Sequence, residues 1–194
     1  LKNVKEIIHF ATRNKHKFLE AKLTLQEYGI HIKMFPDIRY EIQSNSLEEI
    51  AKTLAMQIAE EFNITVLRED AGLFIDKLKG FPGPYSSYVF NTIGVKGVLK
   101  LMEGEVKRNA EFRSAVAFCK PDNSAKCFRG SVKGNIALVK LGKSGFGFDP
   151  IFIPLGGGGK TFAQMTRMEK RTLSHRTRAL RKFANWYLNS RMLK

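Results

Sequence analysis

The chain has 194 residues, 43% of them hydrophobic and 11% aromatic, and a formal net charge of +15. That length suits one sizeable domain, the composition excludes an intrinsically disordered chain, and no run of 18 apolar residues exists to form a transmembrane helix. Two cysteines, Cys119 and Cys127, lie outside any CxxC pair, which argues against a disulfide framework or a cysteine zinc site and fits free thiols in a reducing cytosol. The apolar stretch before Phe10 is too short and interrupted for a signal-peptide core, so a cytoplasmic location is expected. Charge is unevenly spread. From Lys160 to Lys194 there are ten Lys/Arg and one acid, Glu169, so +9 of the +15 sits in the last 35 residues. Such a field attracts polyanions, whether nucleic acid, a membrane surface or a nucleotide polyphosphate.

In chain order, Val4 to Ala11 reads as a strand. Thr12 to Lys17 then turns into a helix running to about Tyr28, with Phe18, Ala21, Leu25 and Tyr28 at helical spacing and Gly29 suited to the position after its end. Ser46 and Glu49 fit a capping box before a second helix whose inner stripe is Ile50, Leu54, Ile58 and Phe62. Thr65 to Leu67 reads as a short strand that delivers Arg68, Glu69 and Asp70 to an edge. Leu73 to Leu78 is expected to pair with a neighbour, and Phe81 to Tyr85 is a rigid Pro/Gly loop. A helix is expected over Val95 to Met102. A hairpin is expected from Ala110–Cys119 and Lys126–Val132 around the turn at residues 121–124. A glycine-rich loop covers Gly142 to Phe148, followed by a strand ending at Pro154. The last helix covers about Ser174 to Leu188, with Leu180, Phe183 and Tyr187 inward. Alternating helices and strands with no repeat and no linker give a single α/β domain over residues 1–194.

Four segments carry candidate chemistry. Thr12-Arg13-Asn14-Lys15-His16-Lys17 lies at a strand-to-helix junction, where unpaired N–H groups and the helix dipole suit phosphate. A solvated basic turn capped by Thr12 or Asn14 fits it at least as well. Glu69 and Asp70, followed by Ala71 and Gly72, invite a Mg²⁺ ion, which takes one or two carboxylates plus phosphate oxygens. Glu41 is a further candidate ligand, and the competing reading is a turn with exposed acids. In Phe146-Gly147-Phe148-Asp149, flanking glycines allow close backbone approach, the rings suit stacking on a base, and Asp149 suits a hydrogen bond to one. A glycine-rich hairpin with core aromatics fits equally well. The stretch from Lys170 to His175 and Arg176 sets cations at the mouth of the last helix, against its dipole, and such a local conflict suggests ligand binding. A solvated basic face is the plainer explanation for its other cations. Gly156 to Gly159 before Lys160-Thr161 imitates a phosphate-binding P-loop, but Pro154 stands where that motif needs its first glycine, so a flexible loop is expected instead.

Together these segments resemble the inosine-triphosphate pyrophosphatase family. Ala11 to Lys17 is similar to its Thr-x-Asn-x-x-Lys signature. Arg68 to Leu73 and Gly80 to Ser86 resemble its acidic motif and the following loop. Gly145 to Pro150, Lys160 to Ala163 and Ser174 to Arg176 follow in the expected order. The resemblance implies an elongated mixed β-sheet with flanking helices and two lobes around a central nucleotide cleft, usually in a homodimer. It implies hydrolysis of deaminated purine nucleoside triphosphates (ITP, dITP, XTP) to monophosphate and pyrophosphate. Thr12 to Lys17 would hold phosphates, and Asp70 would be the proton acceptor and, with Glu41 and possible help from Glu69, the Mg²⁺ ligand. Phe146 to Asp149, Lys170, His175 and Arg176 would form the base pocket. The chain departs from the pattern at Ala71, where many relatives have Ser or Thr, so that any contact there comes from the backbone. It also departs at Leu54, where some carry Lys, and at Gln164, where Glu is common. Two alternatives stand beside this one: a basic nucleic-acid-binding protein, and a pyrophosphatase for other modified nucleotides.

Overall fold

The computed structural model describes residues 7–36, 41–121 and 123–192. Among them, six α-helices accompany a mixed seven-stranded sheet, an α/β architecture as expected. The helices are α1 (Lys15–Gln26), α2 (Leu47–Phe62), α3 (Ser86–Thr92), α4 (Gly94–Leu101), α5 (Arg167–Leu173) and α6 (His175–Met192). The strands are β1 (Ile8–Ala11), β2 (Ile32–Phe35), β3 (Val66–Ile75), β4 (Pro82–Gly83), β5 (Asn109–Cys119), β6 (Lys126–Ile136) and β7 (Phe152–Pro154). Their order is β2-β1-β3-β5-β6-β7, with β4 paired on β3. β1 pairs in parallel with β2 and β3, while β4 and β7 pair antiparallel with β3 and β6. Of the strand expected from Val4, the first three residues lie outside the described part, as does Asp122 in the hairpin turn.

The described chain separates into two compact units. The first holds the residues up to Asp70, Ala115–Arg129 and the chain from Ala179; the second holds Ala71–Ser114 and Gly130–Arg178. Each has its own core. In the first, Phe10, Leu25, Leu67, Val116, Leu180 and Phe183 are buried together, with Phe18 and Tyr28 packed against them half-buried. In the second, Leu73, Ile75, Phe112, Phe148, Phe152 and Phe162 are buried together.

Local signals explain most elements. Asn14 caps α1: its Oδ1 accepts from the N–H groups of His16 (2.9 Å) and Lys17 (3.1 Å). Ser46 caps α2 by accepting from the Glu49 N–H at 3.2 Å, yet the box is relayed. Glu49 accepts from the Ser44 hydroxyl (2.6 Å), and Ser44, not Glu49, accepts from the Ser46 N–H (3.0 Å). Ile50, Leu54 and Ile58 are buried on α2 as expected, while Phe62 is only half-buried, edge-on to Phe35 at 5.0 Å.

The expected short strand at Thr65–Leu67 and the separate one at Leu73 are in fact one ten-residue strand, β3, running straight through Arg68-Glu69-Asp70. Gly72 makes this possible, because a Cβ there would stand 2.1 Å from the Gly83 carbonyl oxygen of β4. The glycine run 156–159 is no P-loop: Lys160-Thr161 leads into a 3₁₀ turn (Phe162–Gln164), not the helix that motif requires. Thr161 and Gln164 form a capping box there, with the Gln164 Oε1 accepting from the Thr161 N–H at 3.0 Å.

Candidate active site

β1 is flanked by β2 on one side and β3 on the other, so the chain diverges at its carboxyl end, the position where open α/β sheets receive ligands. The Thr12–Lys17 turn starts there. Thr12 is buried and its N–H donates to the Phe35 carbonyl at 3.0 Å, while its Oγ1 accepts from the Asn14 N–H at 3.1 Å. Because Asn14 already engages the amides of His16 and Lys17, the first turn of α1 offers fewer N–H groups to an anion than a bare helix end would. Positive charge makes up the difference. Lys15, His16 and Arg13 are exposed, with the Arg13 Nε donating to the Pro36 carbonyl at 3.2 Å.

The last β1–β3 pair is Ala11 with Arg68, and β3 continues beyond it. Asp70 therefore emerges just past the end of β1. Successive strand residues face opposite ways, so Arg68 and Asp70 share one face and Glu69 takes the other. There Glu69 is buried and paired with Lys17 at 2.9 Å. The two acids, adjacent in sequence, thus diverge, and the expected joint action of Glu69 with Asp70 on one metal or one water does not follow from this geometry. Lys17, expected on phosphate, is partnered by Glu69. Asp70 is half-buried and Glu41 exposed. Both pull on Arg68: its burial lowers the guanidinium below its ordinary value, against Asp70 first, then Glu69 and Glu41. Among the described residues no three His, Cys, Asp or Glu side chains gather to hold a metal. A pair such as Asp70 and Glu41 remains compatible with Mg²⁺, which completes its shell from phosphate and water.

The second unit gathers the other candidates more tightly. Asp149 is buried, and its Oδ2 accepts from Lys170 Nζ at 2.7 Å and from the Phe146 N–H at 2.8 Å. Gly145, at φ +77°, is required here, since a Cβ would fall 2.1 Å from that same oxygen. Lys170 Nζ lies 4.9 Å from the Phe146 ring centre, and the buried Arg176 guanidinium lies 5.4 Å from it. His175 is buried and stacked on Phe112, with centroids 4.7 Å apart and planes at 7°. Phe148 departs from expectation. Its ring is buried in the core, edge-on to Phe90 at 5.6 Å, and so is not available to stack on a base. Gly147 contributes backbone at φ +60°, with open space where a side chain would stand.

Lys170 and Arg171 do not oppose a dipole as expected. They lie in the last turn of the unforeseen α5, where cations are favoured, and only His175 and Arg176 open α6. A full capping box starts α5, the Thr166 N–H donating to Glu169 Oε2 at 2.7 Å and the Glu169 N–H to Thr166 Oγ1 at 3.2 Å. These bonds, with Lys160, hold the Glu169 carboxyl down to about 2. Sequence inspection missed Phe112, the platform under His175, and Phe162, whose ring centre lies 5.6 Å from Lys170 Nζ. Both look like ordinary core aromatics until the fold joins them to distant cations.

Several cations behind the polyanion expectation have structural work. Arg178 donates to the Ser131 carbonyl and Lys182 to the Arg129 carbonyl, each at 2.8 Å, and Arg181 pairs with Glu27 at 3.7 Å. No helix among the described residues is long and apolar enough to cross a membrane. Leu54, where some relatives carry a lysine, is buried, and Lys52 is exposed.

A turn at the carboxyl end of the parallel strand β1 and a buried cluster of cations and aromatic rings are thus set on an α/β fold. The chain belongs to the Ham1 family, whose model matches residues 8–186. It is 52% identical over 182 residues to a dITP/XTP pyrophosphatase of Methanopyrus kandleri, covering 93% of this chain and 96% of that protein. It is 47% identical over 180 residues to a dITP/XTP pyrophosphatase of Methanothermobacter marburgensis, covering 93% and 95%. The fold matches the Staphylococcus aureus Ham1 protein with a TM-score of 0.82 at 29% identity, over 95% of this chain and 100% of that one.

Proposed function

We propose that this chain hydrolyses deaminated purine nucleoside triphosphates, ITP, dITP and XTP, to the monophosphate and pyrophosphate, clearing them from the cytoplasmic nucleotide pool. The observation that carries the choice of base is the buried donor set of Lys170 and Arg176 against Phe146 and of His175 on Phe112. Lys170, His175 and Arg176 are each less than a tenth exposed: Lys170 is held by Asp149, His175 is stacked on Phe112, and Arg176 lies against the Phe146 ring. Hypoxanthine and xanthine present a 6-keto acceptor to such donors, whereas adenine presents an amino group. A buried donor left unmet costs about 1–3 kcal/mol, and sites built on such donors can discriminate by about 10⁴. Phe146, half-buried, is the ring left for stacking.

At the phosphate end, Thr12, Asn14, Lys15 and the neighbouring Arg13 and His16 bind and orient the triphosphate, and Lys17 joins them from its pairing with Glu69. Ala71 contributes its N–H. Asp70 accepts the proton of the water that attacks the α-phosphorus; the α–β anhydride bond breaks and pyrophosphate leaves, its charge met by Lys15 and Lys17. Asp70 and Glu41 would hold a Mg²⁺ ion, which supplies neutralisation of the phosphate charge. A homodimer is the assembly proposed, as the family resemblance implies.

The test is pyrophosphate release with Mg²⁺ across ITP, dITP, XTP, GTP, ATP, CTP and UTP. Fast release confined to the first three supports the proposal, as does its loss on chelation of the metal. Silence on every triphosphate, or equal turnover of pyrimidines, overturns it.

A further inference from the structure

Arg68 takes no part in the proposed reaction, yet it links the Thr12 turn to the strand that carries Asp70. It sits on β3 opposite Ala11, the last residue before the Thr12 turn, and its NH1 donates to the Ala11 carbonyl at 2.9 Å. Two residues on, along the same strand face, stands Asp70, at a Cα spacing of about 7 Å. Its Nε is buried and finds no acceptor among the described residues, so the guanidinium keeps a donor for an anion.

We propose that Arg68 is a positioning residue: its guanidinium ties the phosphate-binding turn to the acid strand, and its charge serves as the resident counter-ion of Asp70 until magnesium triphosphate arrives. This rests on the reading of Asp70 and Glu41 as the metal carboxylates. The guanidinium fork is essential to the first role, because a lysine offers one ammonium on a flexible stem and cannot hold the Ala11 carbonyl while keeping a second donor fixed beside it. The charge is essential to the second, since a fixed cation on the same strand face as Asp70 repels a divalent ion drawn to that carboxylate. The two roles predict opposite movements that a merely structural arginine would not produce.

The experiment compares wild type, Arg68→Met, Arg68→Lys and Asp70→Asn, measuring Mg²⁺ binding without nucleotide by calorimetry and turnover of ITP. Arg68→Met is expected to bind Mg²⁺ about fivefold more tightly or better, yet turn over at least tenfold more slowly. Arg68→Lys should keep the wild-type Mg²⁺ affinity and still lose about tenfold in turnover. Asp70→Asn should weaken Mg²⁺ binding in either background. Unchanged or weaker Mg²⁺ binding by Arg68→Met overturns the counter-ion role, and wild-type turnover by a folded Arg68→Lys overturns the positioning role. Should Arg68→Met fail to fold by circular dichroism, Arg68→Gln takes its place in the Mg²⁺ measurement, with the same tightening expected and the same result overturning the counter-ion role. If the wild type is silent on all triphosphates while Arg68→Met still tightens Mg²⁺, the counter-ion stands and the pyrophosphatase reading falls.

Discussion

The two groups of candidate residues are built in contrasting ways. In the first unit the charges are open: Lys15, His16 and Glu41 are exposed and Asp70 is half-buried. In the second they are sealed: Asp149, Lys170, His175 and Arg176 lie at 3, 8, 3 and 2% exposure, each held by a partner or a ring. Under the proposed reading, a flexible, highly charged triphosphate is well served by side chains that can move onto it. A flat base that differs from its rival by one functional group requires donors already fixed and desolvated, because only then does a mismatch carry its full cost. On that proposal, chemistry and selectivity should respond to different substitutions.

The largest expected effect is that of Asp70→Asn on turnover. Loss of a positioned proton acceptor lowers kcat by roughly 10²–10⁴, and the melting temperature should stay near wild type, as measured by steady-state kinetics and calorimetry. Next comes Lys170→Met. It strands the buried Asp149 carboxylate, and breaking a buried pair from one side costs about 3–5 kcal/mol, readable by urea unfolding. Gly72→Ala forces a methyl onto the Gly83 carbonyl and should cost about 1–3 kcal/mol by the same measurement. Asn14→Ala frees the His16 and Lys17 amides and should cost about 0.5–2 kcal/mol, with a change in KM if the turn holds phosphate. The smallest effect is local. The Glu169 carboxyl is held down to about 2 in the folded chain, below its ordinary unfolded value of 4.5. Its contribution to the start of α5 is therefore fully present above that unfolded value and is lost as pH falls toward 2. Amide exchange of Glu169 and Lys170 between pH 5 and 2.5 should show that turn loosening first, and uniform protection across the range would contradict it.

What was legible in the sequence follows from how local each signal is. The α1 cap at Asn14, the hairpin of β5 and β6, and the inward stripe Leu180-Phe183-Tyr187 on α6 are written in neighbouring residues, and the structure has them. β3 was not legible as one strand, because Arg68-Glu69-Asp70 interrupts the apolar pattern; a strand tolerates such residues when each finds a partner, as Arg68 does at Ala11 and Glu69 at Lys17. The seven-residue helices α3 and α5 are too short to show a period. Phe146 and Phe148 are chemically alike in sequence, and only packing sends one to the Lys170–Arg176 cluster and the other into the core. The family resemblance was legible because its motifs fall in order along nearly the whole chain, whereas the Lys17–Glu69 and Asp149–Lys170 pairs needed the fold.

The division of labour is tested most directly by the ratio of kcat/KM for ITP to that for ATP, measured in wild type, Asp70→Asn and Arg176→Lys. Asp70→Asn should slow both substrates and leave the ratio unchanged. Arg176→Lys should lower the ratio by roughly tenfold to a hundredfold, the equivalent of one unmet donor. An Asp70→Asn enzyme that loses its preference for ITP, or an Arg176→Lys enzyme that keeps it, would contradict the account.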